Sequence, residues 1–267
     1  MTKKTTPDYY NTTDQMGREV IVPKRPKRII SLVPSQTELL YYLGLTDEVV
    51  GQTIFCIHPN AQHKMKPRIG GTKKLNFDTI VSLNPDLIIG NKEENQQEQI
   101  EELTKHYPVW MSDIKTLADA CDMIVSISKL IGKPDEGVLL SDSILEGFQK
   151  LSAPKAATCL YIVWRDPWML AGHDTFINDL LSRIGFNNLA INIDGRYPQI
   201  AADAICKLSP QYILLSSEPY PFKQKHLAEL ELISLNSTIL LVDGEMFSWY
   251  GNRLQMSIAY FKTLFLQ

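Results

Sequence analysis

The chain is poor in the residues that most catalytic and scaffold signatures need. Cysteine is scarce: of 267 residues, 4 are Cys, at positions 56, 121, 159 and 206 (Cys56, Cys121, Cys159, Cys206). No C-x-x-C pair occurs, so zinc-knuckle and thioredoxin spacings are excluded. Four small buried thiols are the expectation, and spacing establishes no disulfide. Charge of one sign is also lacking. The 27 Lys and Arg stand against 30 Asp and Glu, for a net charge of −3. That is no electrostatic footprint for nucleic acid. No apolar run approaches the ~18 residues of a membrane-spanning helix. The opening stretch to Asp14, MTKKTTPDYYNTTD, holds no apolar h-region. Taken literally, no signal peptide is visible and the chain reads as cytoplasmic; a chain trimmed of its leader would look the same. Also missing are G-x-S-x-G, G-x-x-x-x-G-K-S/T, G-x-G-x-x-G and H-E-x-x-H, which lowers the expectation of an enzyme.

What is present is an alternation of strand-like and helical runs. Arg28 to Val33 reads as a strand ended by Pro34. Ser35-Gln36-Thr37-Glu38 then has the S-x-x-E form of a capping box, and the helix after it runs through Leu39, Leu40 and Leu43 to Gly44. Strands are expected at Val49–Gly51, Leu87–Ile89 and Val109–Met111, and helices at Asn76–Leu83, Glu93–His106 and Thr116–Ile131. Such alternation predicts a mainly parallel α/β sheet.

The second half repeats this plan. Asp78, Ile80, Leu83, Pro85 and Ile88 form D-x-I-x-x-L-x-P-x-x-I, and the string recurs as Asp203, Ile205, Leu208, Pro210 and Ile213. Leu39-Leu40 with Gly44 is echoed by Leu180-Leu181 with Gly185. Two echoes in one order predict two similar lobes. The first lobe carries extra residues between its echoes, in the polar segment Phe55 to Lys74. A long loop of this kind on an α/β lobe is expected to line a ligand site or to be mobile. Between the lobes, Leu140, Ile144, Phe148 and Leu151 make one apolar stripe on a helix that starts near Pro134 and is stopped by Pro154. The boundaries that follow are a first lobe over 8–133, a bridging helix over 134–153 and a second lobe over 154–267.

Histidines and aromatic residues carry the candidate chemistry. No two histidines stand at i, i+4, but His58 in the long loop and His173 in Ala171-Gly172-His173-Asp174 are the side chains that could face a ligand and ligate a metal. Trp164-Arg165-Asp166-Pro167-Trp168 follows the strand Leu160–Val163, and Phe247 to Arg253 precedes the last helix. Both lie where strands of the second lobe should end, the side on which open α/β sheets take ligands. Trp and Tyr faces with one Arg each suit a flat or bulky polar ligand. The acidic run Glu93, Glu94, Glu98, Glu101 and Glu102 is either a solvated helix face or a docking surface for a basic partner.

The stretch Gly17 to Glu38, G-R-E-V-x-V-P-x-x-P-x-R-I-I-S-L-x-P-S-x-T-E, resembles the substrate-binding proteins of ABC importers for cobalamin and ferric siderophores. The resemblance continues through Gly70-Gly71 and Asp78 to Ile89 and covers nearly the whole chain. It implies an α/β fold of two similar Rossmann-like lobes bridged by a single long backbone helix, like class III periplasmic binding proteins. It also implies a binding protein and no enzyme: a monomer with no intrinsic cofactor. It would capture a cobalt corrinoid such as cobalamin, or an iron(III) chelate, in an interlobe cleft and deliver it to the permease of an ABC importer. On the family's pattern the cleft aromatics would be Phe55, Trp168, Tyr197, Phe247, Trp249 and Tyr250, with Arg253 near and His58 at a position often aromatic in cobalamin binders; Trp164, Arg165 and His173 join the candidate ligand-binding residues from the reading of the residues above. Permease docking would use Glu94 or Glu98 from one lobe. In the other lobe Glu218 would serve, because an amide, Gln224, stands where an acid is expected. The family implies a periplasmic or cell-envelope location. The alternative function is a chelatase-like enzyme handling a metal or tetrapyrrole, which shares the two-lobed plan.

Overall fold

The computed structural model describes residues 8–151 and 157–264. The chain divides into two compact units. One holds the residues up to Ile114, Ala118–Ile144 and Tyr250–Arg253; the other holds Lys115–Leu117, Leu145–Trp249 and the residues from Leu254.

The first unit runs β1 (Tyr9–Thr13), β2 (Glu19–Pro23), β3 (Ile29–Ser31), α1 (Pro34–Tyr42), β4 (Val49–Gln52), α2 (Asn60–Met65), α3 (Phe77–Leu83), β5 (Leu87–Asn91), α4 (Gln97–Thr104), β6 (Val109–Ser112) and α5 (Leu117–Leu130). Four of these strands form a parallel sheet in the order β4-β3-β5-β6. Ile29, Ile30, Leu87, Ile88 and Ile89 are completely buried. A parallel sheet covered on both faces calls for such unbroken apolar runs. The β1–β2 hairpin, antiparallel, was not foreseen. Its strand YYNTT is largely polar. What fixes it is Asp14, whose carboxylate accepts from the Arg18 guanidinium and from the backbone N–H groups of Met16, Arg18 and Met111.

Helix α1 corrects one expectation. Its N-cap is Val33, with no side-chain cap, and Pro34 occupies the first turn. Ser35 and Glu38 form no capping box, because Glu38 is committed to Arg253. Proline already supplies a residue that has no N–H to satisfy. Helix α4 is shorter than expected, because Asn91 and Asn95 turn the chain before it: the N–H groups of Glu93 and Glu94 donate to Asn91 Oδ1.

Helix α6 (Pro134–Gln149) follows, with Leu140, Ile144 and Phe148 buried. The division between units falls inside it, between Ile144 and Leu145, so the helix leads from one unit into the other. Pro154, expected to stop it, lies outside the described residues.

The second unit runs β7 (Ala157–Trp164), β8 (Trp168–Leu170), α7 (Phe176–Arg183), β9 (Phe186–Asn188), β10 (Gln199–Ile200), α8 (Ala202–Leu208), β11 (Tyr212–Ser216), α9 (Gln224–Ile233), β12 (Thr238–Val242), α10 (Glu245–Ser248) and α11 (Leu254–Leu264). Its sheet has the order β10-β8-β7-β11-β12, with β7, β11 and β12 parallel and β8 antiparallel to both of its neighbours, β7 and β10; β9 pairs in parallel with the start of β7. Its core gathers Leu160, Ile162, Leu170, Ile205, Ile213, Leu215 and Leu230.

The sequence echoes correspond to matching backbone events. Helices α3 and α8 both end in a left-handed residue, Asn84 (φ 43°) and Ser209 (φ 45°), before Pro85 and Pro210 turn the chain into β5 and β11. Helices α1 and α7 both stop at a left-handed glycine, Gly44 (φ 84°) and Gly185 (φ 89°). Each unit therefore reuses the same two chain reversals.

Candidate functional site

In the first unit all four parallel strands end in a polar side chain that is nearly or fully buried: Ser31, Gln52, Asn91 and Ser112. This is the carboxyl edge, where open α/β sheets take ligands. The four ends lie in two hydrogen-bonded clusters, one around Ser112 and Asn91 and one around Ser31 and Gln52. Ser112 Oγ accepts from Gln36 Nε2 at 2.6 Å and from Asn91 Nδ2 at 2.9 Å. Thr37 Oγ1 meets Ser31 Oγ at 2.7 Å, and Tyr41 donates to Gln52 Oε1 at 2.6 Å. Asn95 bridges the backbone of Asn91 to Thr72, accepting at 2.9 Å and donating at 3.0 Å. Cys56 Sγ lies 3.1 Å from the hydroxyls of Thr37 and Thr53, and burial pushes its thiol pKa up. Buried hydrogen-bonded polar groups of this kind rigidify whatever they hold, with Gln36 Oε1 left buried without a partner among the described residues.

They hold the Phe55–Lys74 segment, which is an ordered element. Gln52 pairs with Arg68, and the Ile69 N–H donates to Gln52 O at 3.0 Å. Gly70 has φ 96°, and a Cβ there would lie 2.3 Å from Lys74 O, so only glycine fits the turn. On this base stand Ile54, Phe55, Ile57 and Met65, 50%, 53%, 42% and 77% exposed. Exposed apolar side chains gathered on one rigid segment mark a candidate binding surface. Phe55 lies over Gly71. His58 is half-buried in the same segment.

Arg253 and Tyr250 were expected in the second lobe, yet the segment carrying them belongs to the first unit. Arg253 is buried, and its Nε and Nη2 donate to the two carboxylate oxygens of Glu38 at 2.8 and 2.9 Å. Its charge serves this pair, where the sequence suggested a ligand oxygen. Tyr250 is buried too.

In the second unit the carboxyl edge is marked by Trp164, Ser216 and Val242, the last residues of β7, β11 and β12. Trp164 is 41% exposed, and its ring meets Tyr220 edge-on at 5.5 Å. Trp168 has gone into the core, stacked on Phe222 at 6.3 Å between centroids. Arg165 lies over the Trp168 ring, 4.9 Å from its centroid. It donates from Nε to Glu229 at 2.9 Å and also pairs with Asp166. Arg165 holds the Glu229 carboxyl below the usual range.

Glu218 corrects the docking expectation. Its Oε1 accepts from Ser248 Oγ at 2.8 Å and from Trp249 Nε1 at 2.9 Å. Burial raises its pKa, with the nearby acids Glu245 and Asp243 adding to the rise. A carboxylate consumed in this way makes a poor docking charge. Trp249 is correspondingly buried. Glu98, by contrast, is exposed in the first turn of α4, and Glu94 is half-buried just before it.

His173 and Tyr197 are half-buried in the second unit, with His173 Nδ1 3.4 Å from Asp174 Oδ2. Among the described residues no group of three or more His, Cys, Asp or Glu side chains is placed to hold a metal ion. No two of the cysteines described form a disulfide, and Cys206, expected to be buried, is exposed on α8. No described helix is long and apolar enough to cross a membrane.

Sequence reasoning missed the ring cluster of Tyr220, Phe222 and His226. It also missed the polar floor under Phe55, because its members are far apart in the chain and carry no common spacing.

Residues 29–235 match the family model described as periplasmic binding protein. An uncharacterized ABC transporter substrate-binding lipoprotein of Bacillus subtilis, YvrC, is 30% identical over 215 residues, 75% of this chain and 67% of that protein. The crystal structure of the periplasmic vitamin B12 binding protein BtuF of Vibrio cholerae is similar with a TM-score of 0.76 at 21% identity, covering 92% of this chain and 100% of that one. A structure described as a possible iron-binding (periplasmic solute-binding) protein from Staphylococcus epidermidis gives 0.76 at 22% identity, covering 91% and 100%. These structural likenesses establish the two-lobed α/β fold.

Proposed function

This chain belongs to the periplasmic binding protein family, whose matched relatives are substrate-binding transport proteins and not enzymes, and we propose that it captures a metal chelate, with a cobalt corrinoid favoured over an iron(III) siderophore, for delivery to an ABC importer. The observation that carries this reading is the Phe55 surface: an exposed aromatic and aliphatic patch fixed on a buried hydrogen-bonded floor at the carboxyl edge of a parallel sheet. Such a surface suits a large, rigid, partly apolar ligand, because little ordering is needed on binding.

Charge favours the corrinoid. Arg253 is matched by Glu38, and Arg165 by Glu229 and Asp166. Neither guanidinium offers the net positive charge that a polyanionic iron chelate would use, whereas a corrinoid presents a flat face and a rim of neutral amides. The names of relatives cover both chelate classes: one is a vitamin B12 binding protein, another a possible iron-binding protein. A cell-envelope location follows from the same relatives, named periplasmic or lipoprotein. The chelatase alternative has no support from the family or from the geometry around His58 and His173.

The test is titration of the purified protein with cyanocobalamin and with a ferric hydroxamate siderophore. Cyanocobalamin should bind with Kd below about 100 μM and be recovered unchanged. Failure of both ligands to bind at that level overturns the reading; turnover of either would favour the enzyme.

A further inference from the structure

Tyr220 lies just past the end of β11, in a ring cluster with a buried end and an exposed end. Phe222 and His226 make up the buried end. Tyr220 contacts both, with centroids 4.7 and 5.5 Å away. At the exposed end, Tyr220 and Trp164 meet at 71°, forming an aromatic corner at the carboxyl edge of the sheet.

The hydroxyl of Tyr220 has a direction that its neighbours impose. The Lys223 backbone N–H donates to His226 Nδ1 at 2.9 Å. That donor assigns the tautomer, because Nδ1 must present a lone pair. Burial and the nearby cations Lys225 and Arg165 lower the pKa of the imidazole, so the ring is neutral near pH 7. Its proton is therefore on Nε2, 3.3 Å from Tyr220 Oη. Nε2–H donates, and the Tyr220 oxygen accepts. The hydroxyl's own proton is left to point elsewhere, and among the described residues it meets no acceptor.

We propose that Tyr220 is a specificity-determining ligand contact, donating its hydroxyl hydrogen to a carbonyl oxygen on the rim of a chelate whose flat face rests on Trp164. This rests on the reading of the protein as a chelate-binding protein. It deepens that reading by assigning the polar contact to a neutral donor. Arg165, the nearest cation to the corner in sequence, is already engaged by Glu229 and Asp166. A neutral donor beside a neutralised Arg165 selects a neutral amide carbonyl over a carboxylate, whose desolvation one hydroxyl does not offset; Lys223 and Lys225 are exposed, so solvent screens their charge.

The experiment compares wild type, Tyr220→Phe and Trp164→Leu in equilibrium dialysis with cyanocobalamin, whose rim carries amides, and with hemin, whose rim carries carboxylates. Tyr220→Phe keeps the ring and removes only the donor. It should weaken cyanocobalamin about tenfold, as for loss of one well-formed hydrogen bond, and change hemin binding less than threefold. If wild type binds cyanocobalamin and Tyr220→Phe binds it within twofold, the assignment of Tyr220 is wrong while the chelate-binding reading stands. If wild type binds neither chelate, that reading falls and takes this assignment with it. An equal loss for hemin overturns the amide preference. Should Tyr220→Phe lack a folding transition, Trp164→Leu carries the test, since Trp164 is 41% exposed and lies outside the core of its unit: affinity within twofold of wild type would remove the corner from the site.

Discussion

Arg253 and Glu38 lie 215 positions apart in the chain and meet as a two-pronged ion pair, both nearly excluded from solvent. The pair closes a long loop of chain onto the first unit, next to the point where Gly251 approaches Ser35 O and Leu39. Removing one partner strands the other charge in a dry site, which costs about 3–5 kcal/mol; replacing both with apolar residues costs far less. Arg253→Met is therefore expected to lower the denaturant midpoint sharply, with the Arg253→Met/Glu38→Leu double variant recovering most of the loss. A single variant as stable as wild type would show that the pair is dispensable.

The fold was legible because its signals are local. Strand runs, the two left-handed helix stops and the repeated D-x-I-x-x-L-x-P-x-x-I string all act within a dozen residues, so backbone physics reads them in order. The role of Arg253 was not legible. An arginine near aromatic residues looks the same in sequence whether it awaits a ligand or a distant glutamate. Glu38 misled for the same reason: S-x-x-E is a cap only if the glutamate has no stronger partner. Glu218 looked like a surface charge because nothing nearby in sequence reveals that Ser248 and Trp249 close over it. In each case a contact across long sequence separation overrode a local rule.

Glu218 should leave a signature in the pH dependence of stability. Its folded pKa is raised, chiefly by burial. Well below the unfolded value both states hold the proton and the group contributes nothing to the slope. As pH rises past about 4.5 the unfolded state ionises while the folded state still holds its proton, so stability falls until the folded carboxyl also ionises. Relative to Glu218→Gln, wild type should thus lose stability between pH 4.5 and the raised folded value, and the difference should be flat above it. Unfolding midpoints of both proteins from pH 4 to 8 check this. A difference that grows in favour of wild type as pH rises would contradict the burial-dominated environment.

Docking on the importer is expected to involve Glu98, exposed in the first turn of α4. A rim charge acts mainly on association rate and is screened within about 8–10 Å at physiological salt. Glu98→Lys should reduce stimulation of the transporter's ATPase several-fold at low salt and much less at high salt, with chelate affinity unchanged. Glu218→Gln should have no comparable salt-dependent effect, because that carboxylate is already engaged. Equal stimulation by Glu98→Lys and wild type at low salt removes Glu98 from the interface.

The most direct mutational test of the binding surface is Phe55→Ala. The ring is about half exposed and lies over Gly71, so it adds little to the core of its own unit. Truncation should therefore leave the unfolding free energy within about 0.5 kcal/mol of wild type. If the ring covers part of a bound corrinoid, its loss removes both buried area and an aromatic face, together about 1.4 kcal/mol or more, which is tenfold in Kd. Trp249→Ala would confuse this test: it opens a buried site and strips Glu218 of a donor, so it lowers stability and affinity together. Cyanocobalamin titration of Phe55→Ala, with unfolding measured on the same preparation, separates the two effects. Affinity unchanged at preserved stability would place the ligand away from the Phe55 surface, and with it would go the observation on which the proposed function rests.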